Sequence, residues 1–411
     1  MRMLGAALAV LMLSAAPAFA GPSGDVLRDS LYAGDLQKGL ATLTPLAESD
    51  PEARFGVGML DLAIGVERFA QTLYRHGLTP PNAGPMTPNV TLPVPPNPNP
   101  EPWNYEGVRQ MFEALVADFD TARGAFETAA AEGDYVIVID PLQIRFDLNA
   151  DGKVDPAESI EGMVGLMTGS RFGGPDNQTN ETLKHEIGFD RADAYWLAGY
   201  SDVIVAQADF LLAHDFSDFV NVLFHRFFPK AGFPMQEYSK GGQLMLDPET
   251  DAGISDAVAA IHTISWPVTD ATRLAGVRER MKAVIGYSRQ NWDAILAETD
   301  DNHELLPSPK QTPPVPEAKI DDAKVAAWRA TLDQADRILD GELLVPHWRF
   351  AQGFDLKAYF ETAKRTDLVM ILTGYGAVPF LKDGPIASPQ DFREAQQAFG
   401  SNWLGYAFWF N

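Results

Sequence analysis

Residues 147 to 158 read Asp-Leu-Asn-Ala-Asp-Gly-Lys-Val-Asp-Pro-Ala-Glu. Side-chain oxygens stand at the first, third, fifth, ninth and twelfth places, on Asp147, Asn149, Asp151, Asp155 and Glu158. Oxygens at such spacing in one tight turn can close around a hard cation, and calcium takes about six to eight of them at roughly 2.3 to 2.6 Å. Gly152 falls at the sixth place, where the chain must bend through a positive φ. At the seventh only the Lys153 carbonyl is needed, so the lysine charge is no obstacle. Four carboxylates in twelve residues repel one another unless a cation sits among them.

This pattern resembles the calcium loop of the EF-hand family, and the resemblance covers residues 147–158 alone. It implies Ca2+ as the bound ion, with Asp147, Asn149 and Asp151 as monodentate ligands and Lys153 binding through its backbone oxygen. Asp155 would bind directly or through water, and Glu158 would be the bidentate ligand. Three features depart from the family. Ser159 stands where an apolar residue usually follows, although Ile160 and Met163 keep an apolar face on the exiting helix. The entering segment, residues 140–146, is short; it reads as a strand through Leu142, Ile144 and Phe146, or as a brief helix capped at Asp140-Pro141. EF-hands come in pairs, and the second candidate, Asp247, Glu249 and Asp251, has Val258 where the last acid belongs. The sequence Asp155-Pro156-Ala157-Glu158 is also a capping box, which needs no metal. That box leaves the crowding of Asp147, Asn149, Asp151 and Gly152 without a purpose.

Other constellations are weaker. A helix over 190–214 is apolar almost all round, yet carries Asp193, Asp202 and Asp209. Asp202 and Asp209 are seven apart and share a face, and carboxylates in a core tend to be functional. The alternative reading is therefore a periplasmic hydrolase or small-ligand-binding protein with its site on this helix and calcium only structural. Against it, Asp193 at the third helical position favours the dipole. His185-Glu186 lacks the second histidine of a zinc-protease helix, because residue 189 is Phe. His214 and His225 read as core or surface histidines. The run His347-Trp348-Arg349 suits an anion, a sugar face or a strand edge. No nucleophile elbow, phosphate-binding loop or other catalytic motif stands out.

The rest of the chain must present that loop. Net charge is −24, which argues against nucleic acid and anionic membranes as partners and leaves any protein partner open. Arg2, an apolar run from Leu4 to Leu13 and the small residues Ala18 and Ala20 read as a signal peptide over 1–20, so a periplasmic or secreted location is expected. No later stretch is long and apolar enough to span a bilayer. There is no cysteine, so the fold is expected to stand without disulfides. The layout as a whole resembles a group of exported bacterial proteins.

Apolar periodicity predicts a mainly α, irregular multi-helix domain with a few short strands. Helices are expected over 50–77, 105–132, 156–168, 190–214, 252–264, 270–298 and 322–340, with a shorter one within 34–48. Strands are expected at 135–139 and at the C-terminal end, where Leu404, Tyr406, Phe408 and Phe410 alternate. Ten prolines between 80 and 102 forbid helix or central strand and predict an extended connector. A second proline-rich stretch divides a helical body, 21–306, from a C-terminal α+β subdomain, 321–411, with 307–320 as linker.

Overall fold

The computed structural model describes residues 21–81, 94–168, 186–313 and 319–400, with 407, 409 and 410. The expected signal peptide, His185 and most of the first proline-rich stretch lie outside the described residues. Helix far outweighs strand, 61% against 7%, so the mainly α class stands.

Two short helices, α1 (Pro22–Ala33) and α2 (Leu36–Leu43), lean on the long α3 (Pro51–Arg75). Asp50 caps α3 by accepting from the Glu52 amide, and Pro51 opens the helix at a position whose missing N–H costs nothing. Helix α4 (Tyr105–Ala131) begins at Asn104, whose Oδ1 accepts from Gly107 N at 2.9 Å. After the loop come α5 (Ile160–Thr168) and α6 (Arg191–Leu212). Then follow α7 (Ser217–Leu223), α8 (Pro234–Tyr238), α9 (Pro248–His262) and α10 (Ala271–Ala297). The last four are α11 (Asp322–Leu339), α12 (Leu356–Thr362), α13 (Leu368–Thr373) and α14 (Arg393–Phe399).

Helices α3, α4, α6 and α10 pack in series, each against the next. Lying between α4 and α10, α6 buries both flanks, which is why its sequence is apolar nearly all round. Three antiparallel strand pairs, two or three residues long, pin chain crossings. They are β1 (Ile137–Ile139) with β2 (Ile187–Phe189), β3 (Ser265–Pro267) with β5 (Arg365–Asp367), and β4 (Gly353–Phe354) with β6 (Leu381–Lys382). Of these, only β1 was expected.

Around Phe55 and Phe126 a core gathers Ile137, Ile139, Phe146 and Leu148, so both flanks of the candidate loop's first residue are anchored in apolar packing. A second core joins Ala192 and Trp292 to Val325, Trp328 and Phe410. The two sides of the 307–320 stretch thus share one hydrophobic cluster.

Two expectations need correction. Of the expected C-terminal strand, Leu404, Tyr406 and Phe408 lie outside the described residues, and the described residues 407, 409 and 410 are helical. Trp409 is partly buried and Phe410 wholly so, and both pack on the second core, which the strict alternation of a strand does not permit. Phe410 sits against Trp292 and Trp328, with its carbonyl accepting from Trp292 Nε1 at 3.0 Å. Helix α9 starts at Pro248, ahead of the expected 252, because Asp247 caps it through Glu249 N and Thr250 N.

Candidate metal centre

The loop 147–158 is held at its base by backbone pairing. Phe146 N donates to Glu158 O at 3.1 Å and Ile160 N to Ile144 O at 2.9 Å, with Arg145 bridging Ser159. The entering segment combines the two readings of the sequence: Asp140 caps a 3₁₀ turn, Pro141–Gln143, and the bridge at Arg145 follows. Leu148 at the second position is 2% exposed, and Ile160 and Met163 pack on the same core.

Within the turn, backbone amides face the leading side chains. Asp147 Oδ1 accepts from Asp151 N at 3.1 Å and Oδ2 from Gly152 N at 2.9 Å. Asn149 Oδ1 accepts from Asp151 N at 2.8 Å, and Asp151 Oδ1 from Lys153 N at 2.8 Å. Gly152 has φ +76°, the left-handed bend that its place required. Val154, at the eighth position, turns inward onto the bend after α1; its Cγ2 lies 2.5 Å from where a side chain on Gly34 would begin. Gly34 itself has φ +73°, so both its conformation and its neighbour require glycine.

Helix α3 grips the first ligand position from outside the loop. Glu67 Oε2 accepts from Asp147 N at 2.8 Å, and Gln71 Nε2 donates to Asp147 O at 2.7 Å. Burial pushes the Glu67 carboxyl up, and the charges of Asp147 and Glu158 push it further, against the Asp147 amide. Burial also raises Glu158, opposed by the amides of Asp155 and Leu148 and reinforced by Asp147 and Asp155. Glu67 is thus a fifth acid of the site. Eighty residues separate it from Asp147, and no local pattern could have marked it.

All six proposed ligand residues lie in this turn, with Asp151, Lys153 and Asp155 exposed and Glu158 buried. Glu158 also serves the capping role: its Oε2 accepts from Asp155 N at 2.8 Å, and its Oε1 from Leu148 N at 3.0 Å. Among the described residues, no lysine, arginine or histidine comes within ion-pair distance of Asp147, Asp151, Asp155, Glu158 or Glu67. The donor set is all oxygen and suits a hard cation such as calcium.

The second candidate loop does other work. Asp247 caps α9, and Asp251 accepts the amides of Leu244, Met245 and Leu246. On α6, Asp202 and Asp209 are 2% and 6% exposed, and arginines neutralise both. Arg280 of α10 reaches Asp202 and Asp209 at 2.8 Å each and grips both oxygens of Asp120. Arg123 adds a 3.6 Å contact to Asp202, and Arg273 one of 3.1 Å to Asp209. Burial raises both carboxyls while Arg280 pulls them back. An acid pair locked by guanidinium groups is a structural network, with no free base to offer a substrate.

A third group lies at the other end of α6. Oxygens of Asp190, Glu298 and Glu304 fall within 4.8 Å of one another, a spacing that the loop's carboxylates do not reach. Burial first, then the charge of Asp190, pushes Glu298 up to about 8; Glu304, also raised mainly by burial, reaches about 7. Near neutral pH this group answers its own crowding with protons. Sequence reading missed it, because Glu298 and Glu304 follow α10 by chain turns that carry no motif.

The remaining candidates have structural partners. His214 is fully buried between Phe210 O at 2.6 Å and Thr366 Oγ1 at 2.7 Å. His225 meets Asp256 at 3.1 Å. His347, Trp348 and Arg349 are not a strand edge: they bond to the carbonyls of Ile371, Leu372 and Thr373, closing the end of α13.

No protein-family model matches this chain, and neither a curated protein nor a solved structure does.

Proposed function

We propose that the chain is an exported calcium-binding protein that holds one Ca2+ in the loop 147–158, in a mainly structural role. Asp147, Asn149, Asp151, the Lys153 carbonyl, Asp155 and Glu158 are the residues that would hold it. The observation that carries this reading is the missing counter-charge: the acids around this turn have no cationic side chain within ion-pair distance among the described residues, while the acids of α6 have three arginines. Bound there, calcium would neutralise the turn and tie the strand-like base to α3 through Glu67 and Gln71. Each Glu158 oxygen already accepts a backbone amide, so bidentate binding must share or displace those bonds. That cost fits an affinity on the order of 10⁻⁴ to 10⁻³ M, as in extracellular modules. A sensor role has no support, because the entering helix and the partner loop that such opening uses are not found among the described residues.

Equilibrium dialysis against millimolar calcium tests this. One ion per chain, lost in Glu158→Gln, is the expected result. Equal binding by wild type and variant would move the ion elsewhere, and no binding would leave the loop a capped turn.

A further inference from the structure

A polar cleft of about 810 Å³ separates the second half of α3 from the first half of α4. Ligand pockets commonly occupy roughly 300 to 1,000 Å³. Its walls carry Arg68, Gln71 and Arg75 from α3 and Gln110 from α4, and His76 and Trp103 lie beneath them. Glu106 lines the opposite wall, with Gln110 Nε2 donating to its Oε1 at 3.4 Å, so the positive charge that the cleft can offer an anion comes from the α3 arginines. Arg68 is engaged with Asp118 at 2.6 Å, whereas the exposed Arg75 guanidinium has no hydrogen-bond or ion-pair partner among the described residues.

His76 is the second, independent observation. It is 8% exposed and stacks flat on Trp103, with ring centroids 4.5 Å apart and planes 3° from parallel. Its Nδ1 lies 3.1 Å from Glu101 O. A carbonyl can only accept, so Nδ1 carries the proton and Nε2 presents a lone pair. That nitrogen has no hydrogen-bond partner among the described residues, although the ring is nine-tenths buried and lines the cleft. Desolvation lowers the His76 pKa, which favours the neutral ring with its free acceptor. The ring lines the cleft, so a ligand donor there can meet that acceptor. Gln71 spends its amide N–H on Asp147 O, which fixes that side chain and leaves Oε1 as a further acceptor.

We propose that this cleft binds a small hydroxylated anion, a sugar bearing a carboxylate or a phosphate. Arg75 takes the charged group, His76 Nε2 accepts from a hydroxyl, and Gln71 Oε1 and the Gln110 amide receive the remaining hydroxyls. The guanidinium fork suits either oxyanion. This assignment does not depend on calcium in the neighbouring loop.

The test is calorimetric titration of the full chain with glucuronate and with glucose 6-phosphate, alongside glucose and inorganic phosphate. Binding of either charged sugar, stronger than glucose and stronger than inorganic phosphate, is the expected result. Binding of glucuronate names the carboxylate as the anion, and binding of glucose 6-phosphate names the phosphate. Arg75→Gln should weaken that binding about tenfold or more, with an unchanged melting temperature because the side chain is exposed and unpaired. His76→Gln should weaken it as well, but that ring also packs on Trp103, so Arg75→Gln decides the question if the second variant unfolds. The proposal is overturned if neither charged sugar binds at millimolar concentration, if Arg75→Gln binds as wild type does, or if glucose or inorganic phosphate binds equally well.

Discussion

The acids of the loop 147–158 and the acids of α6 solve the same electrostatic problem in opposite ways. Asp202 and Asp209 are buried and share the guanidinium of Arg280, which also holds Asp120. Asp147, Asp151 and Glu158 turn to backbone amides and carry no protein counter-ion among the described residues. An amide bond stabilises a carboxylate but leaves its charge in place, whereas an arginine removes the reason for any further cation. Acidity alone therefore does not mark a metal centre, since the acids of α6 are answered by arginines and the crowded group of Asp190, Glu298 and Glu304 by protons.

The sharpest way to break this contrast is to remove the shared guanidinium. Arg280→Met should lower the unfolding free energy by about 3 kcal/mol, because it strands buried carboxylates. Urea unfolding measures it, and a loss below about 1 kcal/mol would mean that the network is a solvated surface pair. The protonated group at Asp190, Glu298 and Glu304 should give the next largest effect. Its glutamates have folded-state pKa values raised to about 8 and about 7, so the folded chain holds more protons than the unfolded one from about pH 5 to 8. Stability must then fall as pH rises through that window, and Glu304→Gln should flatten the slope. Urea midpoints at the two ends of the window check both statements.

Effects at the loop are smaller. Calcium at tenfold excess over its dissociation constant should stabilise wild type by about 1.4 kcal/mol and Glu158→Gln not at all, as read from melts with and without the ion. Gly152→Ala places a side chain on a residue with φ +76° and should cost about 1 kcal/mol while weakening calcium binding. Equal affinity in that variant would show that the bend is not needed to bring the oxygens together.

How much of this was legible follows from the range of each interaction. The long helices α3, α4, α6, α10 and α11 were readable because apolar period and caps are local; Asp50-Pro51 and Asp190 stand at their starts. The turn at 147–158 was readable because its candidate ligand residues are contiguous. The short strand pairs were not, since each joins residues far apart, such as Trp266 and Thr366. Nor was the fate of Asp202 and Asp209: their spacing put them on one face, but only the packing of α10 against α6 supplies Arg280. The same holds for Glu67 and Gln71, which reach Asp147 across the fold. Aromatic alternation near the C-terminus misled because Trp409 and Phe410 both pack on one core.

The most direct test follows melting temperature through a calcium titration in wild type, Asp151→Ala and Arg280→Met. Calcium should raise the wild-type midpoint, leave Asp151→Ala unmoved, and still raise Arg280→Met from its lower baseline. A rise that survives in Asp151→Ala, or no rise in wild type up to millimolar calcium, would contradict the assignment of the ion to this loop.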